Sequence, residues 1–449
     1  MHEILSPVSA LDRASVDSGF SLSALPTLTK KIKADTSLNK LAPEDRAFHD
    51  WYRFVLSFPP HLVRQYLLER FALPTGATVL DPFCGTGTTV VEAKLNRFAA
   101  IGIEANAIAH FAGAIKSGWN ANPDGLARAA ERIAKSAATV AGAEAQLRFR
   151  NLSEEQERLL LTNSICPLPL HKSLVLAEAI NRETDEGPTR DHLRLALAKT
   201  LVFSASNLHF GPEVGVRGRK LDAPVFEEWL ENVRAMVSDL SRVVSQERAP
   251  AQVIRADARS MADHLAPRSI DAVFTSPPYP NEKDYTRTTR LESVLLGYMN
   301  TREDLRAIKK GLLRSNTRGV YKGDEDDLWV RDNDTVNAIA SEIERRRIEL
   351  GKNSGFEKLY GKVTKLYFGG MARHLAELRP HLKPGAMLGY VVGDQASYLQ
   401  VMIRTGEILA GIAEGLGYEV IGVDLFRTRI STVTKAYMRE EVVVLKWNQ

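Results

Sequence analysis

Apolar residues recur at two different spacings along the chain, and each change of spacing marks a change of element. In "FHDWYRFVLSFPPHLVRQYLLERF" they recur at helical spacing, and Phe58, Pro59 and Pro60 open the second of two predicted helices. The next stretch, "ATVLDPFCGTGTTVVEAKLNRFAAIGIEAN", predicts a strand, a glycine turn, a helix and a strand. "TVL" and "AAIGIE" are its short buried strands, and "TTVVEAKLN" is its amphipathic helix. A βαβ unit of this kind predicts a parallel sheet.

Residues 120–247 carry helical spacing instead. Four segments have charged outer faces and predict a helical insertion: "NPDGLARAAERIAKSAATVAGAEAQ", "HKSLVLAEAINRE", "TRDHLRLALAKTLVFSASN" and "APVFEEWLENVRAMVSDLSRVVSQ". Strand patterns return in "QVIRADARS" and "IDAVFTSPPYP". A polar, charge-dense stretch then occupies residues 283–365 and predicts a second, smaller insertion.

The remainder of the chain returns to alternating helix and strand patterns. A helix in "LYFGGMARHLAELRPHL" is followed by a turn at Lys383, Pro384 and Gly385 and by the strand "AMLGYVVGD". The helix "TGEILAGIAEGLG" ends at Gly417, a residue type that favours helix C-termini. "YEVIGVDLF" and "EEVVVLKW" predict an antiparallel pair at the edge of the sheet. Without the two insertions, the pattern predicts a three-layer α/β domain with a mostly parallel sheet that ends in an antiparallel hairpin.

These patterns divide the chain into six segments. We expect a flexible arm over residues 1–45, the first half of the core over 46–119, and the helical insertion over 120–247. The core continues over 248–282, the second insertion covers 283–365, and the core closes over 366–449. Because ligands of such sheets bind at the carboxyl ends of the strands, we expect four strand ends to meet at one crevice.

Length and composition narrow the class of protein. A chain of 449 residues is longer than one ordinary core, and 44% hydrophobic with 25% charged residues is typical of a soluble globular protein. The sequence has neither an apolar run long enough to span a bilayer nor signal-peptide features at its start. Cys84 and Cys166 form neither a disulfide framework nor a zinc spacing. We therefore expect a cytoplasmic protein without a metal and without a membrane partner.

The glycine turn "DPFCGTGTT" has the chemistry of a ligand loop. Gly85 and Gly87 allow a sharp turn and a close approach of the backbone to a ligand. Neither a phosphate P-loop nor a complete dinucleotide motif is present, because no Gly-Lys-Ser/Thr follows and a third glycine is missing. Asp81 would repel a phosphate but attract a cationic amine or sulfonium.

Two further acidic residues follow predicted strands. Glu104 stands where an acidic residue accepts from a ribose diol in nucleotide-binding units, although an exposed Glu after a strand is common. Asp257 in "RADAR" is a candidate acceptor for an adenine amino group, and the N-cap of a helix is its competing role.

The corner "TSPPY" ends a buried strand abruptly. Pro277 and Pro278 cannot donate to a sheet ladder, and each restricts the residue before it to extended backbone. The corner is therefore stiff. It is either a loop that is simply rich in proline or a platform that presents the hydroxyl of Ser276, backbone carbonyls and the ring of Tyr279 to a ligand.

Together, "DPFCGTGTT" and "TSPPY" resemble the motifs of the class I, S-adenosylmethionine-dependent DNA amino-methyltransferases, which modify exocyclic amines of cytosine or adenine. The resemblance covers the sheet domain and implies a Rossmann-like fold, S-adenosylmethionine as cofactor and double-stranded DNA as partner. "FHDWYRFVLSFPPHLV" resembles the segment that packs over the methionine moiety. The residues implied for the cofactor are Asp81, Pro82, Phe83, Gly85, Thr86, Gly87, Thr88, Glu104, Asp257 and Phe58. Those implied for catalysis are Ser276, Pro277, Pro278 and Tyr279.

The resemblance gives the corner a chemical purpose. An exocyclic amine is a poor nucleophile because its lone pair is delocalised into the base. The Ser276 hydroxyl oxygen and the Pro277 carbonyl can hold the two amine hydrogens, so that the freed lone pair attacks the sulfonium methyl in line. Tyr279 would stack on a base that has left the duplex. No enzyme nucleophile is needed, which makes Cys84 structural.

Several alternatives remain open. Ser at the first motif position favours N4 of cytosine, and adenine N6 is the alternative within the family. A related RNA or protein amide methyltransferase and a cofactor-binding subunit without activity are further alternatives, and a nicotinamide dehydrogenase is disfavoured by the missing third glycine. A net charge of +4 permits a nucleic acid partner without requiring one. Candidate phosphate contacts are Arg287, Arg290, Arg217, Arg219 and Lys220. Restriction would need a separate endonuclease or defence partner, because no nuclease motif is present.

Overall fold

The chain folds into two compact units, and each unit is made of more than one segment of the sequence. The N-terminal unit comprises Thr36–Ala258 and Lys283–Leu312, and the C-terminal unit includes Arg259–Glu282 and Leu313–Gln449. The computed structural model describes residues 40–54, 57–211, 213–245, 248–281, 283–430 and 437–449. Most of the predicted N-terminal arm, residues 1–39, lies outside these ranges. Within them, no helix combines the length and apolar character needed to cross a membrane.

The helices are α1 (Pro60–Arg64), α2 (Thr88–Leu95), α3 (Ala107–Gly118), α4 (Pro123–Ala145), α5 (Glu154–Leu159), α6 (Pro167–Glu183), α7 (Pro188–Thr200), α8 (Val225–Val243), α9 (Tyr285–Thr288), α10 (Arg290–Leu295), α11 (Arg302–Gly311), α12 (Asp334–Glu349), α13 (Tyr360–Leu378) and α14 (Thr405–Gly415). The strands are β1 (Thr78–Asp81), β2 (Ala99–Ile103), β3 (Leu208–Phe210), β4 (Val214–Val216), β5 (Ala251–Ile254), β6 (Ile270–Thr275), β7 (Leu382–Gly393), β8 (Glu419–Ile430) and β9 (Tyr437–Trp447). Two π-helical turns, Gln65–Arg70 and Leu201–Ala205, continue α1 and α7.

The βαβ unit predicted around the glycine turn is present in the N-terminal unit. β2 pairs in parallel with β1 on one side and with β5 on the other. Parallel strands that start at one edge of a sheet also end at one edge. Asp81, Glu104 and Asp257, which end or follow these three strands, therefore belong to the same edge of the sheet.

The residues of the predicted helical insertion form α4 to α8, and they also contain a small hairpin. Trp229 of α8 is fully buried, and its indole N–H donates to the carbonyl oxygen of Leu193 at 2.9 Å. β3 and β4 pair antiparallel, with Leu208 opposite Val216. The residue pattern does not predict this hairpin, because three-residue strands are too short to show alternation.

The C-terminal unit contains the remaining strands in the order β6-β7-β9-β8. β6 and β7 are parallel, whereas β9 pairs antiparallel with β7 and β8. The predicted α/β fold with its final antiparallel hairpin is thus confirmed. Gly417, with φ of 90°, follows α14 as predicted. The predicted turn at Lys383–Gly385 is instead a register shift within β7, which continues through Gly393.

The second predicted insertion is largely helical. α9, α10 and α11 belong to the N-terminal unit, whereas α12 belongs to the C-terminal unit. α12 packs against α13 and buries Val336, Ala340 and Ile343, which recur at helical spacing. The charge-dense stretches on both sides of these residues, "DEDD" and "ERRR", concealed this pattern in the sequence.

Candidate active site

The glycine turn after β1 has the backbone that its sequence requires. Gly85 and Gly87 have φ of 51° and 87°, in the left-handed region that favours glycine. Gly87 is also the N-cap of α2, and a Cβ atom there would lie 3.2 Å from Cα of Gly113 in α3. The turn therefore lies directly against α3, and both φ and the close contact select glycine at position 87.

Asp81 and Cys84 lie buried at the base of this turn. One carboxylate oxygen of Asp81 accepts from the backbone N–H of Phe83 at 3.2 Å. Burial, together with the nearby carboxylate of Asp81, raises the pKa of Cys84 well above its usual range. The thiol is consequently protonated near neutral pH, which agrees with the predicted structural role.

Glu104 connects two loops at the edge of the sheet. Its carboxylate oxygens accept from the backbone N–H of Gly85 at 2.8 Å and from that of Asn106 at 2.7 Å. Burial raises the pKa of Glu104 to about 7, and the charge of Asp81 adds to this increase. Each oxygen still has lone pairs with which to accept a further hydrogen bond.

The surroundings of this turn suit the group that the motif predicts. The hydroxyls of Thr86 and Thr89 are buried and have no hydrogen-bond partner within the described residues. They offer donors to a carboxylate, and Glu104 offers acceptors to a ribose diol. Phe54 lies in the segment predicted to pack over the methionine moiety, although it was not among the predicted cofactor residues. It is 3.9 Å from the Cβ position of Gly85 and shields one side of the turn.

The other predicted cofactor residues lie around this turn or at the same sheet edge. Pro82 and Thr88 are buried, Phe83 is half-buried, and Phe58 is half-buried just before α1. Asp257 follows β5 by three residues and is half-buried. Their contacts with a cofactor stay predictions.

The proline corner lies in the C-terminal unit, directly after β6. Pro277 is buried, whereas Ser276, Pro278 and Tyr279 are half-buried. The hydroxyl of Ser276 donates to the carbonyl oxygen of Val391 in β7 at 3.1 Å. Because the single hydroxyl hydrogen is used in this bond, the lone pairs of the oxygen are available as acceptors.

Gly393, at the end of β7, completes the support of this corner. A Cβ atom at Gly393 would lie 3.0 Å from the ring of Tyr279 and 3.3 Å from the side chain of Glu440. The Tyr279 ring therefore packs directly on the backbone of β7. This role of Gly393 was not predicted, and its only sequence signal is a glycine at the end of the strand in "GYVVGD".

The five predicted phosphate contacts differ in their environments. Arg217, Arg219 and Lys220 are exposed just after β4, although the Lys220 ammonium donates to the carbonyl oxygen of Ser204 at 2.9 Å. Arg287 is half-buried in α9. Arg290 donates to Thr286 and to the carbonyl oxygen of Leu159, so its guanidinium is held inside the N-terminal unit.

Three comparisons bear on the identity of the chain. The sequence profile of the DNA methylase family matches residues 31–111, which include α1 and the glycine turn. The Type II methyltransferase M.BsoBI of Geobacillus stearothermophilus is 27% identical over 436 residues, which cover 86% of this chain and 82% of the relative. Both matches support the N4/N6 family of DNA methyltransferases for this chain.

A second relative and a solved structure complete the comparison. The Type II methyltransferase M.AvaI of Nostoc sp. is 24% identical over 433 residues, which cover 88% of this chain and 83% of the relative. The crystal structure of TrmN from Thermus thermophilus aligns with 90% of this chain and 52% of its own, at 13% identity and a TM-score of 0.26, which is too low to support an inference.

These matches indicate the general chemistry. They support a methyltransferase activity with S-adenosylmethionine as the cofactor. The described residues contain no group of three or more His, Cys, Asp or Glu side chains arranged to hold a metal ion.

Proposed function

We propose that this DNA methyltransferase modifies the exocyclic amine of a base that has left the duplex, with N4 of cytosine as its target. The hydrogen bond from Ser276 to the carbonyl oxygen of Val391 carries the proposal. It uses the only hydrogen of the hydroxyl and fixes the direction of the oxygen, which therefore acts as an acceptor. An amine with two hydrogens is the complementary ligand.

The N-terminal unit is proposed to hold the cofactor. The ionised carboxylate of Glu104 would accept from the ribose hydroxyls, and the buried hydroxyl of Thr86 would donate to the methionine carboxylate. Phe54 and Phe58 would exclude water from the methionine side. When bound, S-adenosylmethionine supplies a methyl group activated by its positive sulfur.

The C-terminal unit is proposed to hold the base. Ser276 and the carbonyl oxygen of Pro277, which lies in a stiff backbone, would accept the two amine hydrogens and favour a tetrahedral nitrogen with a free lone pair. The ring of Tyr279, held against Gly393, would stack on the base and offset part of the few kcal/mol that leaving the duplex costs. Positioning, rather than a covalent enzyme intermediate, would provide the rate enhancement.

Serine at the first position of the motif supports cytosine N4 over adenine N6, and the two targets need the same acceptors. The two relatives are named Type II methyltransferases. We propose that this chain likewise protects DNA in a restriction-modification or phage-defence system with a separate restriction endonuclease.

The test is direct identification of the methylated base. Purified protein is incubated with S-adenosylmethionine and unmethylated bacterial DNA, which is then digested to nucleosides and analysed by mass spectrometry. We expect N4-methylcytosine, and a Ser276→Ala variant should lower the methylation rate by about 10²-fold because one preorganised hydrogen-bond partner is removed. Ser269→Ala, at a half-buried serine of the same unit, is the matched control and should keep the rate.

Other outcomes of this assay would change the target base, the substrate or the role of Ser276. N6-methyladenine would retain the proposed mechanism and change the target base. No methylated base from a protein that still binds the cofactor would contradict the proposed DNA substrate and direct the assay to RNA. A full methylation rate in Ser276→Ala would contradict the acceptor role of the hydroxyl.

A further inference from the structure

Glu292 in α10 is a buried carboxylate whose environment differs from that of several other buried acids. It is 1% exposed. One oxygen accepts from the hydroxyl of Tyr52, and the other, Oε2, has no hydrogen-bond partner in the described part of the chain. Burial raises the pKa of Glu292 to about 7. The side chain therefore has an unused acceptor in a dry environment.

Several other buried carboxylates have a basic partner. These pairs are Glu92 with Arg64 and His49, Asp284 with Lys309, Asp326 with Arg259, and Asp394 with Arg404 and Arg439. No Lys or Arg among the described residues forms an ion pair with Glu292. Since a buried carboxylate without a cation is costly, the arrangement suits a cation supplied by a ligand.

The contacts of Tyr52 connect Glu292 to the glycine turn through two aromatic rings. The ring of Tyr52 lies edge-on to that of Phe54, with centroids 6.1 Å apart. Phe54 in turn lies 3.9 Å from the Cβ position of Gly85. One aromatic pair thus separates the Glu292 carboxylate from the loop proposed to hold the methionine end of the cofactor.

A second set of contacts joins α10 to the ribose side. The N-cap of α10, Thr289, lies one turn before Glu292, and its hydroxyl is 3.4 Å from the side-chain amide nitrogen of Asn106. The backbone N–H of Asn106 donates to Glu104 at 2.7 Å. α10 is therefore anchored to the loop after β2, and Glu292 is held at a fixed place within the N-terminal unit.

We propose that Glu292 binds the α-ammonium group of the methionine moiety of S-adenosylmethionine, with Tyr52 as its positioning residue. The inference rests on the proposed cofactor site and adds to it a residue that no motif indicates. An ammonium group has three donors and a positive charge, and Oε2 supplies a charged acceptor for one of them. The hydroxyl of Tyr52 fixes the carboxylate so that this oxygen keeps its direction.

The test compares two ligands that differ in the amino-acid moiety. S-adenosylhomocysteine carries the α-ammonium group, whereas 5′-methylthioadenosine has the same nucleoside and no amino acid. Calorimetry on the full chain should show that Glu292→Gln weakens the binding of S-adenosylhomocysteine by about 10- to 100-fold, the value of a charge-assisted hydrogen bond. The affinity for 5′-methylthioadenosine should stay within about twofold, because its nucleoside contacts are unchanged.

Controls separate this contact from general damage. Glu441→Gln removes a different buried carboxyl, in the C-terminal unit, and should leave both affinities unchanged. If Glu292→Gln does not fold, Glu292→Asp takes its place, because it keeps the charge on a side chain that is one methylene shorter. This variant should show an intermediate loss of affinity for S-adenosylhomocysteine and no loss for 5′-methylthioadenosine.

Three results would overturn the inference. Equal losses for both ligands would show that Glu292 only supports the fold, and an unchanged affinity for S-adenosylhomocysteine would show that the ammonium lies elsewhere. If the wild-type protein bound neither ligand, the proposed cofactor site itself would be wrong. That last result is distinct, because it does not involve the variant.

Discussion

At the residue scale, Glu104 combines a structural role with a proposed binding role. Its carboxylate holds the N–H groups of Gly85 and Asn106, and burial brings its pKa to about 7. A ribose diol donates to the ionised form, so the affinity for 5′-methylthioadenosine should fall as the pH drops through about 7, by up to about tenfold per pH unit. Glu104→Gln should bind this ligand more weakly and with little pH dependence.

Calorimetry at pH values on both sides of the Glu104 pKa of about 7 measures this effect. Glu441→Gln is the matched control, since the pKa of Glu441 is also raised to about 7 but its carboxyl lies in the C-terminal unit. This variant should retain the wild-type pH profile. A profile that persists in Glu104→Gln would assign the titration to another group.

At the scale of elements, the end of β7 supports the proline corner. Ser276 donates to Val391, and the ring of Tyr279 packs on Gly393. A methyl group at Gly393 would displace this ring by a few tenths of an ångström. Gly393→Ala should therefore lower kcat by about tenfold, since misplacement by 1 Å can cost about 10²-fold, while the affinity for S-adenosylhomocysteine stays unchanged.

Steady-state kinetics and calorimetry together test this prediction. Gly411→Ala is its control, because the added methyl group meets no atom within 4 Å and the residue lies inside α14 of the same unit. That variant should keep the wild-type kcat. A wild-type kcat in Gly393→Ala would mean that the Tyr279 ring does not have to be fixed.

At the scale of the whole molecule, a net charge of +4 is too small to account for DNA binding by itself. Affinity for the phosphate backbone of DNA must therefore come from basic side chains at particular places on the surface. Arg217 and Arg219 are exposed just after the hairpin of β3 and β4. The Arg217→Ala, Arg219→Ala double variant should reduce the slope of log affinity against log salt by about 0.9 for each phosphate that the protein no longer neutralises.

Fluorescence anisotropy with duplex DNA over a range of salt concentrations measures this slope. Arg234→Ala is the control, because Arg234 is exposed but paired with Glu231 at 2.6 Å. It should leave the slope unchanged. A wild-type slope in the double variant would exclude the hairpin as a phosphate-binding element.

The sequence by itself determined the local chemistry of this protein. The conformational roles of Gly87, Gly417 and the consecutive prolines Pro277 and Pro278 can be predicted from the sequence. Backbone conformation at these positions depends on one residue and its immediate neighbours. Hydrophobic spacing likewise predicted the βαβ unit, the helical insertion and the final hairpin. Hydrophobic spacing did not predict β3 and β4, because these strands are too short to show alternation. It did not predict α12 either, because the surrounding charged residues concealed the helical pattern.

Only the tertiary structure decided which distant residues meet. Ser276 and Val391 are 115 positions apart, and Tyr52 and Glu292 are 240 positions apart, so no local pattern relates them. Burial and hydrogen-bond direction depend on these contacts. They turn Ser276 into an acceptor, bring the pKa of Glu104 to about 7 and leave an acceptor of Glu292 unused in a dry environment. Residue types are a property of the chain, whereas their electrostatic surroundings are a property of the fold.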